Sequence, residues 1–406
     1  MWNRRQFLQS SALVSLSPLL PSLFARTARA AGVTPDARAL VVIQLDGGND
    51  GVNTVVPYAN DEYAKARVKL RLETDKLHKL DGRVALHPSM RAAKELFDDG
   101  RLAIIQGVGY PNPNRSHFES MKIWHTARAL DAQGDGLGWL GRSLDQQTLA
   151  ATQQKASTAV FVGRQDPPVA LWGRKSEIVS LADADDLELQ LAMDPPRQYT
   201  GADSATDPAS SVDQFVAREV LSAYTAARDF HERRTGAKEN GAARYPDTQL
   251  ASQLKLISQL LQSDSQARVF YAIQPGYDTH AGQLYTHGQL LRALSDAIKA
   301  FLNDLQAAKL DDRVVVLAFS EFGRRVKEND SGGTDHGTAG PVFLAGAPIA
   351  GGVIGAAPNL SDLTDGDLKT EYDFRQVYAT LLDRWLEVPS KAVLGDAYDH
   401  LPILRG

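Results

Sequence analysis

Short runs of β-branched and other apolar residues recur along this chain, each bounded by polar or glycine-rich turns. Runs of about four to eight such residues are typical of strands that are buried on both faces. They predict strands at residues 39–45, 102–106, 159–163, 169–172, 268–274, 313–319 and 342–346.

Between these runs, apolar residues repeat every three or four positions, which is the spacing of one helix face. Leu250, Leu254 and Ile257 illustrate the repeat. The pattern predicts helices at residues 89–99, 116–129, 212–236, 247–263, 283–309 and 374–386. Alternating strands and helices indicate βαβ units, so we expect an α/β fold: a three-layer sandwich with a mainly parallel central sheet and helices on both faces.

The N-terminus has the features of an export signal. A twin arginine at residues 4–5 precedes an apolar stretch at residues 12–24, and Ala-Arg-Ala at residues 28–30 fits a cleavage site. We therefore expect a twin-arginine signal peptide over residues 1–30, recognition by the twin-arginine translocon, a periplasmic or secreted location, and a single domain over residues 31–406. The apolar stretch is too short and too interrupted by proline for a stable membrane span.

Charge and cysteine content narrow the possible functions. The 406 residues carry a formal charge of −5, and loss of residues 1–30 removes four arginines and no acid, which moves it to −9. Such an acidic protein is a poor partner for nucleic acid. Because the chain has no cysteine, a metal site must use His, Asp, Glu, hydroxyl or water ligands.

Metal-ligating side chains follow three of the predicted strands. Asp46 ends the first strand, Asp278 and His280 follow the fifth, and Glu321 follows the sixth. Ligand sites in open α/β sheets form outside the carboxyl ends of the strands, so we expect these side chains to meet. Two of them have simpler explanations, because Asp46 can cap a turn and Glu321 can favour a helix start.

A later loop adds His336, which stands between glycines and has little packing to explain it. This setting favours a ligand or catalytic role. Mixed oxygen and nitrogen donors without sulfur suit Zn or Mn better than Mg or Ca. The sequence therefore predicts one or two divalent ions.

A serine stands where the helix at residues 116–129 is predicted to begin. The free N–H groups and dipole of a helix N-terminus stabilise negative charge, so Ser116 is a candidate nucleophile, although a plain N-cap is the alternative. Arg115 can bind an anion through two hydrogen bonds. His117 can be a ligand, a base or a core histidine.

These motifs resemble those of the alkaline phosphatase/sulfatase-like superfamily, and more closely an uncharacterised bacterial family of twin-arginine-exported proteins within it. The motifs lie at residues 44–51, 114–118, 277–280, 319–324 and 333–337. The resemblance implies an alkaline phosphatase-like fold and a metal-dependent hydrolase of a phosphate or related ester. It also implies that Ser116 is the nucleophile and forms a covalent intermediate.

By the same resemblance, one metal is implied at Asp46, Glu321 and Ser116, and the other at Asp278, His280 and His336. We also expect substrate contacts at Asn49, Arg115 and Asp335.

The chain also departs from the superfamily pattern. Glu321-Phe322 stands where the superfamily usually has Asp-His, so one imidazole ligand is missing. Either His117 or Asp335 replaces it, or the site holds one metal, or it is catalytically weak. The alternative function is a non-catalytic periplasmic or surface binding protein on a hydrolase-like scaffold. The sulfatase signature is absent, which disfavours a formylglycine sulfatase.

Overall fold

Buried apolar strands form the centre of the molecule. The computed structural model describes residues 38–129, 135–150, 158–182, 244–262 and 267–406. The strands are β1 (Ala39–Asp46), β2 (Val55–Val56), β3 (His78–Lys79), β4 (Ala85–Leu86), β5 (Leu102–Gly109), β6 (Thr158–Val162), β7 (Glu177–Leu181), β8 (Val269–Pro275), β9 (Val314–Phe319), β10 (Gly340–Ala345), β11 (Gly352–Ile354), β12 (Leu363–Thr364), β13 (Asp367–Leu368) and β14 (Tyr372–Asp373).

The main sheet within these residues has the strand order β11-β5-β10-β9-β1-β8-β6-β7, and β14 also pairs with β5. β1 lies between β9 and β8 and is parallel to both. β10 is antiparallel to its neighbours β9 and β5. Smaller sheets are β2-β4-β3 and β12-β13. The predicted α/β fold with a mainly parallel sheet is confirmed.

Helices pack on both faces of this sheet. The α-helices of the described residues are α1 (Gly51–Thr54), α2 (Asp61–Ala66), α3 (Arg91–Asp98), α4 (His117–Thr126), α5 (Trp139–Ala150), α6 (Gln249–Gln262), α7 (Gln283–Ala307), α8 (Phe374–Thr380) and α9 (Ser390–Leu394). A π-helix at Leu381–Leu386 continues α8.

The side chains of β1 show why the strand has no polar face. Val41 and Ile43 belong to a core that includes residues of α3, α6 and α7. Leu40 and Val42 belong to the core on the other face, with α4, α5 and α8. All four are completely buried. Each contributes about 1.5–3 kcal/mol by burial, so the strand is held from both sides.

The predicted helices of the described residues are present, with ends that differ by a few residues. The predicted strand at residues 169–172 is wrong: Val169–Leu171 forms a 3-10 helix. A run of four apolar residues does not distinguish a strand from a buried turn by periodicity. The predicted helix at residues 212–236 and the signal peptide at residues 1–30 lie outside the described residues.

By their contacts, residues Arg38–Gly406 form one compact unit. The predicted domain boundary after residue 30 lies outside the described residues and stays a prediction. Among the described residues, no helix has both the length and the apolar character required to cross a bilayer.

Candidate metal centre

Strand direction brings the predicted ligands to one edge of the sheet. β9, β1 and β8 are parallel neighbours, so the segments that follow them leave from the same edge. Because β10 is antiparallel to β9, the residues that precede β10 also reach this edge. We call the segments the β1 loop (residues 47–50), the β8 loop (residues 276–282) and the β9–β10 loop (residues 320–339).

Three imidazoles converge on one carboxylate oxygen at this edge. Asp278 Oδ1 lies 3.0 Å from His280 Nε2, 3.2 Å from His336 Nε2 and 3.5 Å from His117 Nε2. His280 Nε2 and His336 Nε2 are 2.9 Å apart. One ligand atom from each of His117, Asp278 and His336 lies within 4.8 Å of the others. The structure thus brings Asp278, His280 and His336 together and adds His117.

The opposite nitrogen of each imidazole faces an acceptor. Nδ1 of His117 lies 2.7 Å from Glu321 Oε1, Nδ1 of His336 lies 2.7 Å from the Arg115 carbonyl, and Nδ1 of His280 lies 3.2 Å from Asp335 Oδ1. Carbonyl and carboxylate oxygens only accept, so a proton on each Nδ1 satisfies these three acceptors. In that tautomer the Nε2 lone pairs are free to bind a cation next to Asp278.

This donor set fits a divalent cation. With both protons on Nδ1, the Nε2 lone pairs of His280 and His336 face each other at 2.9 Å, and a cation coordinated by both removes their repulsion. His117 Nε2 is buried and has no hydrogen-bond partner among the described residues. In a tetrahedral Zn site, neighbouring ligand atoms are about 3.3 Å apart, close to the separations observed here. Imidazole partners such as Glu321 are typical of metal sites.

The electrostatics of the cluster favour an ionised Asp278. Burial raises the pKa of Asp278, but the hydrogen bond and charge of Arg324 outweigh that effect and bring this pKa to about 2. Arg324 Nη2 donates to Asp278 Oδ1 at 2.7 Å. The hydrogen bond to Glu321 raises the pKa of His117, and burial lowers that of His336. The side chain of Asp278 is 50% exposed, so a small ligand can reach the cluster from solvent.

Glu321 lies behind the cluster. Its side chain is 1% exposed, and Oε1 accepts from Gly47 N at 2.9 Å and from His117 Nδ1. Its other oxygen accepts from Ser320 Oγ at 2.8 Å. With both oxygens engaged, Glu321 orients His117 in this structure, whereas the resemblance implied a direct metal ligand.

Asp46 and Ser116 lie at the exposed side of the site. Asp46 accepts from Gln44 Nε2 at 3.0 Å. Although Asp46 reaches solvent, partial burial raises its pKa, and the charge of nearby Glu321 raises it further. Ser116 is exposed, is the N-cap residue of α4 and makes no side-chain cap hydrogen bond. Its hydroxyl is therefore available at the start of the helix that carries His117.

Two glycines allow the loops to approach each other. Gly47 has φ +118°, and a Cβ there would lie 2.3 Å from the backbone nitrogen of Asp278. Gly48 has φ +78°, and its Cβ would lie 2.5 Å from the ring of Phe322. Any other residue at either position would separate the β1 loop from its neighbours.

The three residues predicted to contact substrate lie in different environments. Asn49 is instead buried, and its amide oxygen accepts from Thr54 Oγ1 at 2.9 Å. Arg115 donates to Asp367 Oδ2, and Asp335 faces His280. In this structure Asn49 is buried, and the other two side chains are paired with Asp367 and His280. Substrate contact by Asn49, Arg115 and Asp335 stays a prediction.

Two buried residues that organise the site were not predicted individually. Arg324 is 1% exposed and lies inside a predicted motif, but its type gave no sign that its charge would be buried. Gln283 is completely buried at the first position of α7, and its sequence neighbourhood carries no recognisable signal. Arg324 donates to the carbonyls of Gly47, Gly48, Tyr277 and Thr334 and to the carboxylate of Asp278.

Fold and site together define an α/β protein with a candidate metal centre at the carboxyl edge of a mainly parallel sheet. The chain belongs to the family described as "Protein of unknown function (DUF1501)", which matches residues 37–394. The predicted membership of an uncharacterised family is confirmed, whereas twin-arginine export stays a prediction. No curated protein matches the chain.

Similar solved structures share little sequence with it. The C-terminal periplasmic domain of EcEptC from Escherichia coli, in complex with Zn, is 9% identical, with 77% of this chain and 74% of that chain covered and a TM-score of 0.37. The lipoteichoic acid synthase LtaP from Listeria monocytogenes is 8% identical, with 79% of this chain and 66% of that chain covered and a TM-score of 0.35. An alkaline phosphatase superfamily protein from Vibrio parahaemolyticus is 9% identical, with 80% of this chain and 64% of that chain covered and a TM-score of 0.37. Such weak likeness assigns no activity.

Proposed function

We propose that this protein is an exported, metal-dependent hydrolase of a phosphate or related ester. The observation that carries the proposal is the convergence of three Nε2 atoms on one oxygen of Asp278. His117, Asp278, His280 and His336 would hold one divalent cation. Three imidazoles and one carboxylate suit Zn, with Mn as the alternative.

A single cation is supported by what surrounds it. Glu321 has both carboxylate oxygens engaged in hydrogen bonds. The ring of Phe322 packs 4.9 Å from the ring of His117 and 4.9 Å from that of His336. A second ion would have to recruit Asp46 and displace the partners of Glu321, so one ion is the simpler arrangement.

In the proposed reaction the residues of the chain have separate roles. When bound, a divalent cation stabilises the negative charge that develops on the ester oxygens. Ser116 attacks phosphorus, the bond to the leaving alcohol breaks, and the serine proton ends on that alcohol. Water then cleaves the phosphoserine, which releases phosphate and restores the hydroxyl. The free N–H groups at the start of α4 stabilise negative charge near Ser116.

The experiment combines metal analysis with turnover. Purified protein is analysed for bound metal, treated with chelator, and assayed on aryl phosphate monoesters, diesters and sulfate esters before and after Zn or Mn is added back. We expect turnover to require the metal and to disappear in Ser116→Ala, while metal content stays unchanged.

The outcomes separate the possible functions. Turnover that survives in Ser116→Ala excludes this serine as the nucleophile. Bound metal without turnover on any ester supports the non-catalytic binding protein. No bound metal and no change of the unfolding temperature after chelation would refute the metal centre itself.

Export by the twin-arginine route is part of the same proposal. It is supported by the arginine pair at residues 4–5, the apolar stretch at residues 12–24 and the Ala-Arg-Ala at residues 28–30. Replacement of both arginines by lysine should leave the protein in the cytoplasmic fraction. Unchanged export of that variant would contradict the proposed route.

A further inference from the structure

The side chain of Gln283 contacts the β1 loop, the β8 loop and the β9–β10 loop, and the last two carry the proposed ligands Asp278, His280 and His336. Its Nε2 donates to Asp50 Oδ2 in the β1 loop. Its Oε1 accepts from Thr279 Oγ1 at 3.0 Å in the β8 loop and from Thr334 Oγ1 at 2.6 Å in the β9–β10 loop. Gln283 itself begins α7, so one buried amide joins a helix to three separate segments.

These contacts are adjacent to the metal ligands along the chain. Thr279 stands between Asp278 and His280, and Thr334 is two residues before His336. Both threonines are buried, with 5% and 0% exposure. A shift of either hydroxyl therefore moves the neighbouring ligand side chain, because a two-residue segment transmits backbone displacement directly.

The groups around position 283 require a side chain with both a donor and an acceptor, which an amide supplies. Asp50 is completely buried and pairs with Arg67 through two hydrogen bonds of 2.5 and 2.9 Å, so it can only accept from a further partner. The threonine hydroxyls donate, so they need an acceptor. Glutamine offers a donor and an acceptor on one group. Glutamate would face Asp50 with a second charge, and leucine would leave the two threonine hydroxyls without their acceptor and remove one donor from Asp50.

We propose that Gln283 is a positioning residue for the metal centre, which fixes the two ligand-bearing loops, the β8 loop and the β9–β10 loop, relative to each other and to the β1 loop. The inference rests on the proposed function, since it takes the cluster at Asp278 to be a metal site. It predicts that metal affinity, and not only stability, depends on a side chain that touches no ligand atom.

The experiment measures Zn affinity by titration calorimetry on chelator-treated protein, with the unfolding temperature of each variant measured in chelator. Gln283→Leu should weaken Zn binding at least about tenfold, the lower end of what supporting partners of metal ligands contribute. The matched control is Gln253→Leu in α6, another buried glutamine, whose Nε2 donates to the Val162 carbonyl at 2.9 Å. It should lower the unfolding temperature but leave Zn affinity unchanged.

A charged replacement tests the hydrogen bond to Asp50 itself. Gln283→Glu keeps an acceptor for the two threonines but sets a second carboxylate against Asp50, so it should weaken Zn binding. If Gln283→Leu does not fold, Thr279→Val and Thr334→Val test the two links separately, and each should weaken Zn binding.

The outcomes distinguish the two proposals. Zn affinity unchanged in Gln283→Leu, or lowered no more than in Gln253→Leu, overturns the role of Gln283 while the metal site stands. Unchanged affinity in both threonine variants overturns it equally. Absence of Zn binding by the unaltered protein overturns the metal centre and this inference together.

Discussion

Replacement of Glu321 by glutamine removes the negative charge that faces His117 and keeps the size and shape of the side chain. Glu321 Oε1 accepts from both Gly47 N and His117 Nδ1, so a glutamine oxygen in that position keeps both hydrogen bonds. The amide nitrogen can then donate to Ser320 Oγ, because the serine hydroxyl can donate its own proton to the Leu45 carbonyl, 2.7 Å away. Glu321→Gln should therefore preserve the fold.

The expected loss follows from the hydrogen bond between Glu321 and His117. Hydrogen bonds to charged partners contribute about 1 kcal/mol more than neutral ones. Glu321 is 1% exposed, so solvent screens this difference little. A loss of about 1–1.4 kcal/mol in metal binding corresponds to roughly five- to tenfold weaker affinity. The basicity of the imidazole decreases because its carboxylate partner has become an amide.

The assay is Zn titration on chelator-treated protein, together with the unfolding temperature in chelator. Glu95→Gln is the control, because Glu95 pairs with Lys299 on α7 and does not contact the imidazoles. We expect weaker Zn binding in Glu321→Gln only, with similar unfolding temperatures. Equal Zn affinity in both variants would refute the reasoning that the Glu321 charge tunes His117.

Two further predictions concern the buried cations. Arg324→Met removes hydrogen bonds from four carbonyls and from Asp278. It should therefore lower the free energy of unfolding, measured by urea denaturation, by at least about 4 kcal/mol. A loss below about 1 kcal/mol would contradict this expectation. Burial raises the pKa of Asp50, but Arg67 outweighs it and holds this pKa below its ordinary value. The contribution of Asp50 to stability is therefore complete above about pH 4 and lost as the pH falls through the lowered pKa. Arg67→Met removes the largest influence that lowers this pKa and keeps the hydrogen bond from Gln283, so its stability should decrease less on acidification than that of the unaltered protein. Parallel profiles for the two proteins in urea denaturation from pH 3 to pH 8 would exclude this pairing as the cause.

The sequence was sufficient for the central strands β1, β5, β6, β8, β9 and β10 because their signal is local, whereas β7, β11 and the two-residue strands were not predicted. The uninterrupted apolar run of β1 indicates burial on both faces, and the structure buries Leu40 and Ile43 in opposite cores. The run at residues 169–172 failed because its four residues carry no period. Asp278 and His280 were predicted as ligands because they follow a strand within a few residues, and the structure brings them together with His336.

The support of the site could not be predicted in the same way. Gln283 and Arg324 act through contacts with segments far apart in the chain, and nothing in their own neighbourhoods distinguishes them from surface residues. Glu321 was predicted as a metal ligand, and in the structure its oxygens accept from His117, Gly47 and Ser320. Such contacts depend on distances between loops, which the sequence does not give.

The chain by itself determined which segments become strands, which edge of the sheet collects polar side chains, and which elements can supply nitrogen and oxygen donors. These properties follow from residue type and spacing, which act over a few positions. Only the tertiary structure decided that Nε2 of three histidines converges on Asp278 and that Glu321, Gln283 and Arg324 lie behind them. The physical reason is that coordination and hydrogen bonding need atoms within about 3 Å, and that proximity arises from strand order and loop packing.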